Sequence, residues 1–113
     1  MIVEFSIIPM GEGASVSKLI APAIKELEKR GVKHVTTPMS TIIEENDLGK
    51  ALECVKAAHE AVMKAGVKRA VTIIKIDDRR DVERSMEDKL KSLRKALKEL
   101  EEGARNSTAY LRK

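Results

Sequence analysis

The stretch Thr36-Thr37-Pro38-Met39-Ser40-Thr41-Ile42-Ile43-Glu44 decides the fold. β-Branched residues stand on both sides of a Pro-Met-Ser break, so it reads as two strands folded about a turn. Pro38 cannot donate to a ladder, which makes the preceding strand, about Val32 to Thr37, an edge strand. The following strand runs from about Thr41 to Glu45. Its carboxylate at Glu44 sits beside apolar positions.

On the N-terminal side, Ile2 to Pro9 alternates. Val3, Phe5 and Ile7 face one way, and Ile2, Glu4, Ser6 and Ile8 the other. The first face is apolar and should meet helices, whereas the second is mixed. Met10 to Ser15 is a loop with Gly11 and Gly13, and it lacks the Lys-Ser/Thr ending of a phosphate-binding loop. Helix one follows, with Val16, Leu19, Ile20, Ala23, Ile24 and Leu27 at helical spacing. Ser15 or Ser17 is expected to cap it and Gly31 to end it. Pro22 should kink it or mark a later start.

On the C-terminal side, Asp47 is expected to cap helix two. Its stripe reads as Leu48, Leu52, Val55, His59 and Val62, with Ala51 and Ala58 alongside, and Gly66 ends it. Ala70 to Asp77 is strand four. Ser85 and Asp88 resemble a capping box for helix three, whose Met86, Leu90, Leu93, Leu97 and Leu100 follow a 4-3-4-3 spacing.

The order strand, helix, strand, strand, helix, strand, plus a last helix, predicts an α+β, ferredoxin-like βαββαβ sandwich with an additional C-terminal helix. Right-handed crossovers put helices one and two on one sheet face. The other face is left bare, which points to self-association. Size gives one domain, residues 1–102, with a polar tail at 103–113.

Composition narrows the functional classes. Apolar residues make up 42% and charged residues 35%, a globular balance. No apolar run approaches the roughly 20 residues of a membrane span, and no signal peptide is read. The single cysteine, Cys54, rules out an internal disulfide and suits a reducing cytoplasm. The absence of glutamine, with asparagine only at Asn46 and Asn106, leans towards a heat-adapted source. The net charge of +4 arises wholly after residue 78, where 11 Lys/Arg stand against 7 Asp/Glu. Those charges alternate in sign without interleaved aromatics, so an exposed helix face is favoured over nucleic-acid binding.

With strands one and three as the central antiparallel pair, Thr41 is expected near the end of strand one and Glu44 near Ser6. Glu4, Ser6, Thr37, Thr41 and Glu44 then converge on or beside the open face. A sequestered carboxylate needs a cation or donor groups. Two readings of Glu44 stay open: it meets a cationic ligand, or it pairs with Lys or Arg across a subunit interface. His59 reads as a hydrogen-bonded core residue, and no metal-ligand spacing joins it to His34 or Cys54. Arg79 and Arg80 read as partners of Asp77, Asp78 and Asp81. No nucleophile motif or nucleotide fingerprint is present.

The segments VEFSIIPMGEG (3–13), TTPMSTIIE (36–44), KAAHEAVMKAG (56–66) and RAVTIIKIDDRRD (69–81) resemble the small thiamine-binding protein family. The resemblance covers about residues 2 to 95. It implies dimers or tetramers assembled through sheet faces. It also implies non-enzymatic binding of thiamine or its hydroxymethylpyrimidine part, with no cofactor beyond that ligand. Carried across, the family pattern falls on Thr37, Met39, Thr41 and Glu44 as ligand-binding residues, with Ser6 next. With Phe5 the one aromatic at hand, aliphatic and Met contacts would hold the ring. The alternative is a structural or regulatory interaction module without a small ligand.

Overall fold

The computed structural model describes residues 1–13, 16–83 and 85–107. They form β1 (Ile2–Pro9), α1 (Ser17–Arg30), β2 (Lys33–Thr36), β3 (Thr41–Glu44), α2 (Leu48–Lys64), β4 (Ala70–Asp77) and α3 (Met86–Ser107). The chain divides into two compact units, Met1–Arg80 and Asp81–Lys113.

In the first unit the four strands form one antiparallel sheet in the order β2-β3-β1-β4. The ferredoxin-like α+β reading holds, β2 is an edge strand, and β1 and β3 are central. Val3, Phe5 and Ile43 point into a core completed by Ala23 and Leu27 of α1 and by Ala51, Val55, Ala58 and Val62 of α2. Both helices therefore lie on the face carrying the odd-numbered residues of β1.

The start of α1 differs from expectation. It begins at Ser17, so Ser17 is its first residue and not its cap. Val16 occupies the cap position without a side-chain bond, and Ser15 lies outside the described residues. Pro22 sits inside α1 and does not delay its start. It leaves the Lys18 carbonyl without its usual helical donor. Gly31 closes the helix at φ 66°, a left-handed conformation that a side chain would strain.

The stripe of α2 is also rotated from the one expected. Asp47 caps it through Oδ1, which accepts from the Lys50 backbone N–H at 2.9 Å. The buried positions are Ala51, Cys54, Val55, Ala58 and Val62, while Leu48 and Leu52 are exposed. Ala51, Cys54, Val55 and Ala58 are buried at i, i+3, i+4 and i+7, and the small Ala51, Cys54 and Ala58 let the backbone lie close to its neighbours. The larger leucines are left outside that stripe.

In the second unit the capping box forms. Ser85 N–H donates to Asp88 Oδ2 at 3.0 Å, and Asp88 N–H donates to Ser85 Oγ at 3.1 Å. α3 continues through Gly103 to Ser107, beyond the point where a polar tail was expected to begin. A solvated glycine costs a helix about 1 kcal/mol, too little to end one. The remainder of the expected tail, 108–113, lies outside the described residues.

Candidate functional site

A mismatch in strand length creates the site. β1 pairs with β4 along its whole length, from Ile2 opposite Asp77 to Pro9 opposite Ala70. With β3 it pairs only from Ile2 to Phe5. From Ser6 onward, one backbone edge of β1 has no strand beside it. Residues 37–40 turn the chain instead of extending the ladder, and they stand across the gap.

The resulting notch holds a cleft of about 400 Å³. Ser6, Thr37, Met39 and Ser40 supply its polar and flexible walls, and Phe5 and Ile20 are among its apolar ones. That volume falls within the range of small-molecule sites, as does the mixture of apolar lining with a few placed hydroxyls. A wider depression of about 770 Å³ runs between α1 and α2. Its rim mixes Lys18, Lys56 and Lys64 with Glu53 and Glu60, and Lys29 pairs with Glu26 at 3.6 Å. This is a solvated helix surface, and it lacks the converging walls of the notch.

Thr37 builds the turn. Its Oγ1 donates to the Ser40 carbonyl at 2.9 Å and accepts from the Ser40 N–H at 3.0 Å and the Met39 N–H at 3.3 Å. The Thr37 backbone N–H also donates to the Ser40 carbonyl, at 2.8 Å. One hydroxyl thus bonds three backbone groups of the turn, and the Ser40 carbonyl shares it with the Thr37 N–H. Ser40 is held by this network, and its own Oγ donates to Glu4 Oε2 at 3.1 Å. Met39 projects outward, 86% exposed.

Ser6, Thr37 and Met39 therefore come together at the notch, but Thr41 and Glu44 do not line it. Glu44 pairs with Ile2 in register, not with Ser6. Four residues of strand, about 13 Å, separate those two positions on β1. Thr41 stands opposite Phe5, on the helix-facing side, and is buried. Being three residues apart on one strand, Thr41 and Glu44 must face opposite sides of the sheet, so the expected convergence of all five residues fails. Glu44 forms an ion pair with Lys33 of the adjacent strand, Oε2 to Nζ 2.8 Å. This pair lies within one chain, where the alternative expectation set it across a subunit interface.

Ser40 was missing from the expected set, although it lies inside the stretch that decides the fold. Its spacing from Thr37, the i to i+3 separation of a turn closed by a threonine hydroxyl, is the signal that points to it. Glu4 was visible as the charged residue on the mixed face of strand one, but its link to Ser40 depends on how the turn folds back.

The other singled-out residues have structural partners. His59 Nδ1 lies 2.6 Å from Thr72 Oγ1, which joins α2 to β4. His34 Nδ1 lies 2.9 Å from the Val32 carbonyl. Arg80 grips Asp78 in a fork, Nη2 to Oδ2 2.8 Å, and this bond holds the Asp78 carboxyl below its ordinary range. Cys54 is buried, and burial pushes its thiol upward. Among the described residues no cluster of His, Cys, Asp and Glu could hold a metal ion. No described helix is long and apolar enough to cross a membrane.

Comparison with known proteins is consistent across sequence and fold. The family profile described as Thiamine-binding protein matches residues 3–94. The UPF0045 protein of Methanothermobacter thermautotrophicus is 42% identical over 95 residues, covering 83% of this chain and 96% of that one. A crystal structure of a Methanocaldococcus jannaschii protein superposes with a TM-score of 0.75 at 43% identity, covering 81% of this chain and 93% of that one. A Thermotoga maritima protein, named provisionally for thiamine biosynthesis or salvage, shares the fold with a TM-score of 0.68 at 22% identity. It is covered over 96% of its length, and this chain over 81%.

Proposed function

The chain belongs to the thiamine-binding protein family, and from that premise we propose that it is a non-enzymatic binder of thiamine or its hydroxymethylpyrimidine moiety, seated in the notch beside β1. The observation that carries this reading is the unpaired β1 edge facing the Thr37–Ser40 turn across a cleft of about 400 Å³. An aminopyrimidine carries an amino donor next to a ring acceptor. That is the pattern a neighbouring strand presents to a backbone edge, so the ring takes the place of the missing β3 residues. Ser6 and Ser40 supply hydroxyls, and Ile8, Ile20 and Met39 supply the apolar contacts that aromatic side chains provide elsewhere. The lining suits holding a ring more than moving protons. In this reading Thr37 and Met39 act at the site, with Ser6. Thr41 sets the start of β3, and Glu44 acts as an ion-pair partner.

Isothermal titration with thiamine and with hydroxymethylpyrimidine tests it. At about 0.1 mM protein, sites with micromolar dissociation constants saturate measurably. Silence with both compounds would count against the reading.

A second reading has an observation of its own. The sheet face opposite the helices exposes Ile8, Val35, Val71 and Ile73, the last at 57%. In this reading the protein works as a homo-oligomer through sheet faces, a dimer or tetramer, or it docks a protein partner there. The two readings are compatible, because the notch opens at the end of the same sheet. In this reading the protein works in the reducing cytoplasm, which its single cysteine suits, and needs no cofactor beyond its ligand.

A further inference from the structure

We infer that Glu4, acting through Ser40, makes the notch select ligands by charge and favours a cationic heteroaromatic ring over a neutral or anionic one. This rests on the notch being the binding site, but it does not require that thiamine be the natural ligand. Four observations lead to Glu4. It lies on the sheet face that carries Ser6, one alternation away on β1. Its Oε2 accepts from the Ser40 hydroxyl at 3.1 Å, and Ser40 lines the cleft. Ser40 is itself fixed by the Thr37 network, so the carboxylate is tied to the turn and not free to sweep the sheet surface. Among the described residues lining the cleft there is no Lys or Arg.

Rival charges are weaker or occupied. Glu44 stands opposite Ile2 and is ion-paired with Lys33 at 2.8 Å. Lys75 is the cross-strand partner of Glu4 and the cation that competes for it, but it is exposed on an edge strand and free to point into water. The N-terminal end of α1 borders the cleft at Val16 and favours negative charge. A helix end carries roughly half an elementary charge, against the full charge of a carboxylate. The balance therefore favours a cation near Ser40 and Glu4.

Glu4→Gln removes the charge and keeps an oxygen that can accept from Ser40. Thiamine affinity is expected to fall about tenfold, while the neutral hydroxymethylpyrimidine and the thiamine affinity of Glu44→Gln change less than about twofold. Equal losses for both ligands in Glu4→Gln, or a larger thiamine loss in Glu44→Gln, would overturn the inference. If the wild-type protein binds neither compound, the thiamine reading fails, and a matched series decides the charge preference by itself. 1-Methylnicotinamide, nicotinamide and nicotinate, cationic, neutral and anionic, are compared at millimolar concentration by ligand-observed NMR. A preference for the cation that disappears in Glu4→Gln upholds the inference. No preference, preference for the anion, or no binding by any of the three overturns it. Should Glu4→Gln fail to fold, Ser40→Ala, which unties the carboxylate from the turn, is expected to narrow the same preference, and an unchanged preference there counts against it.

Discussion

Lys33 and Glu44 are direct cross-strand partners in the β2–β3 ladder, and their Nζ and Oε2 atoms lie 2.8 Å apart. The lysine is half exposed and the glutamate side chain 17% exposed. The pair holds the edge strand in register and lies far from the notch. Partly exposed pairs of this kind contribute about 0.5–1 kcal/mol, and salt weakens them. Lys33→Ala should lower stability by that amount in urea denaturation. The loss should shrink at about 1 M salt, where the screening length is about 3 Å.

The turn network gives a sharper outcome. Thr37→Val deletes a hydroxyl that serves three backbone groups. A stability loss of about 1–2 kcal/mol is expected, with a fall in ligand affinity. Thr37→Ser keeps the hydroxyl and should retain most of both. Paired denaturation and titration of the two variants separate the hydroxyl from the methyl.

Thr72→Val leaves the His59 ring without its partner at 2.6 Å. That half-buried bond joins α2 to β4, and its loss should cost about 1 kcal/mol in denaturant unfolding. Ligand binding should be unaffected, since neither residue lines the notch.

Cys54 predicts a pH effect whose sign follows from burial. Desolvation holds the folded thiol's pKa above its ordinary value of 9.0. Below that value both folded and unfolded thiols are neutral. As pH rises past it, the unfolded chain ionises first, so stability should decline above about pH 9 and continue to fall until the folded thiol ionises. Cys54→Ala should flatten the decline in a series of melts. The thiol should also react slowly with an alkylating reagent until urea is added.

Ile73 is the most exposed of the isoleucines on the sheet face opposite the helices. If that face joins copies of the chain, Ile73→Glu should convert the assembly to a smaller species in light scattering. An unchanged mass would remove this face from the interface.

Much of this fold is legible in the sequence because its signals are local. Pro38 marks the edge strand, Gly31 and Asp47 mark helix ends, and the alternation of Val3 and Phe5 picks the core face. The Ser85–Asp88 box is equally readable. The register of β3 against β1 is not, because no hairpin joins those two strands and the Thr37–Ser40 turn fixes only the β2–β3 pairing. A four-residue misplacement keeps every side chain on its proper face, so the hydrophobic pattern cannot reveal it. It does move Glu44 away from Ser6. The place of Thr41 on the helix-facing side was available from alternation alone. The exposure of Leu48 and Leu52 was not, because hydrophobicity marks the leucines for burial while α2 packs through Ala51, Cys54, Val55, Ala58 and Val62.

The notch beside β1 is a half-finished ladder, and its shape comes from main chain that stops pairing too soon. Side-chain replacement at Ser6, Met39 or Ser40 can therefore retune what fits without demolishing the recess. A change in the length of the Thr37–Ser40 loop would act otherwise, because two more residues of pairing would zip the gap shut. Insertions and deletions there, more than point substitutions, are the events that would abolish the recess, so loop length decides whether this scaffold keeps it.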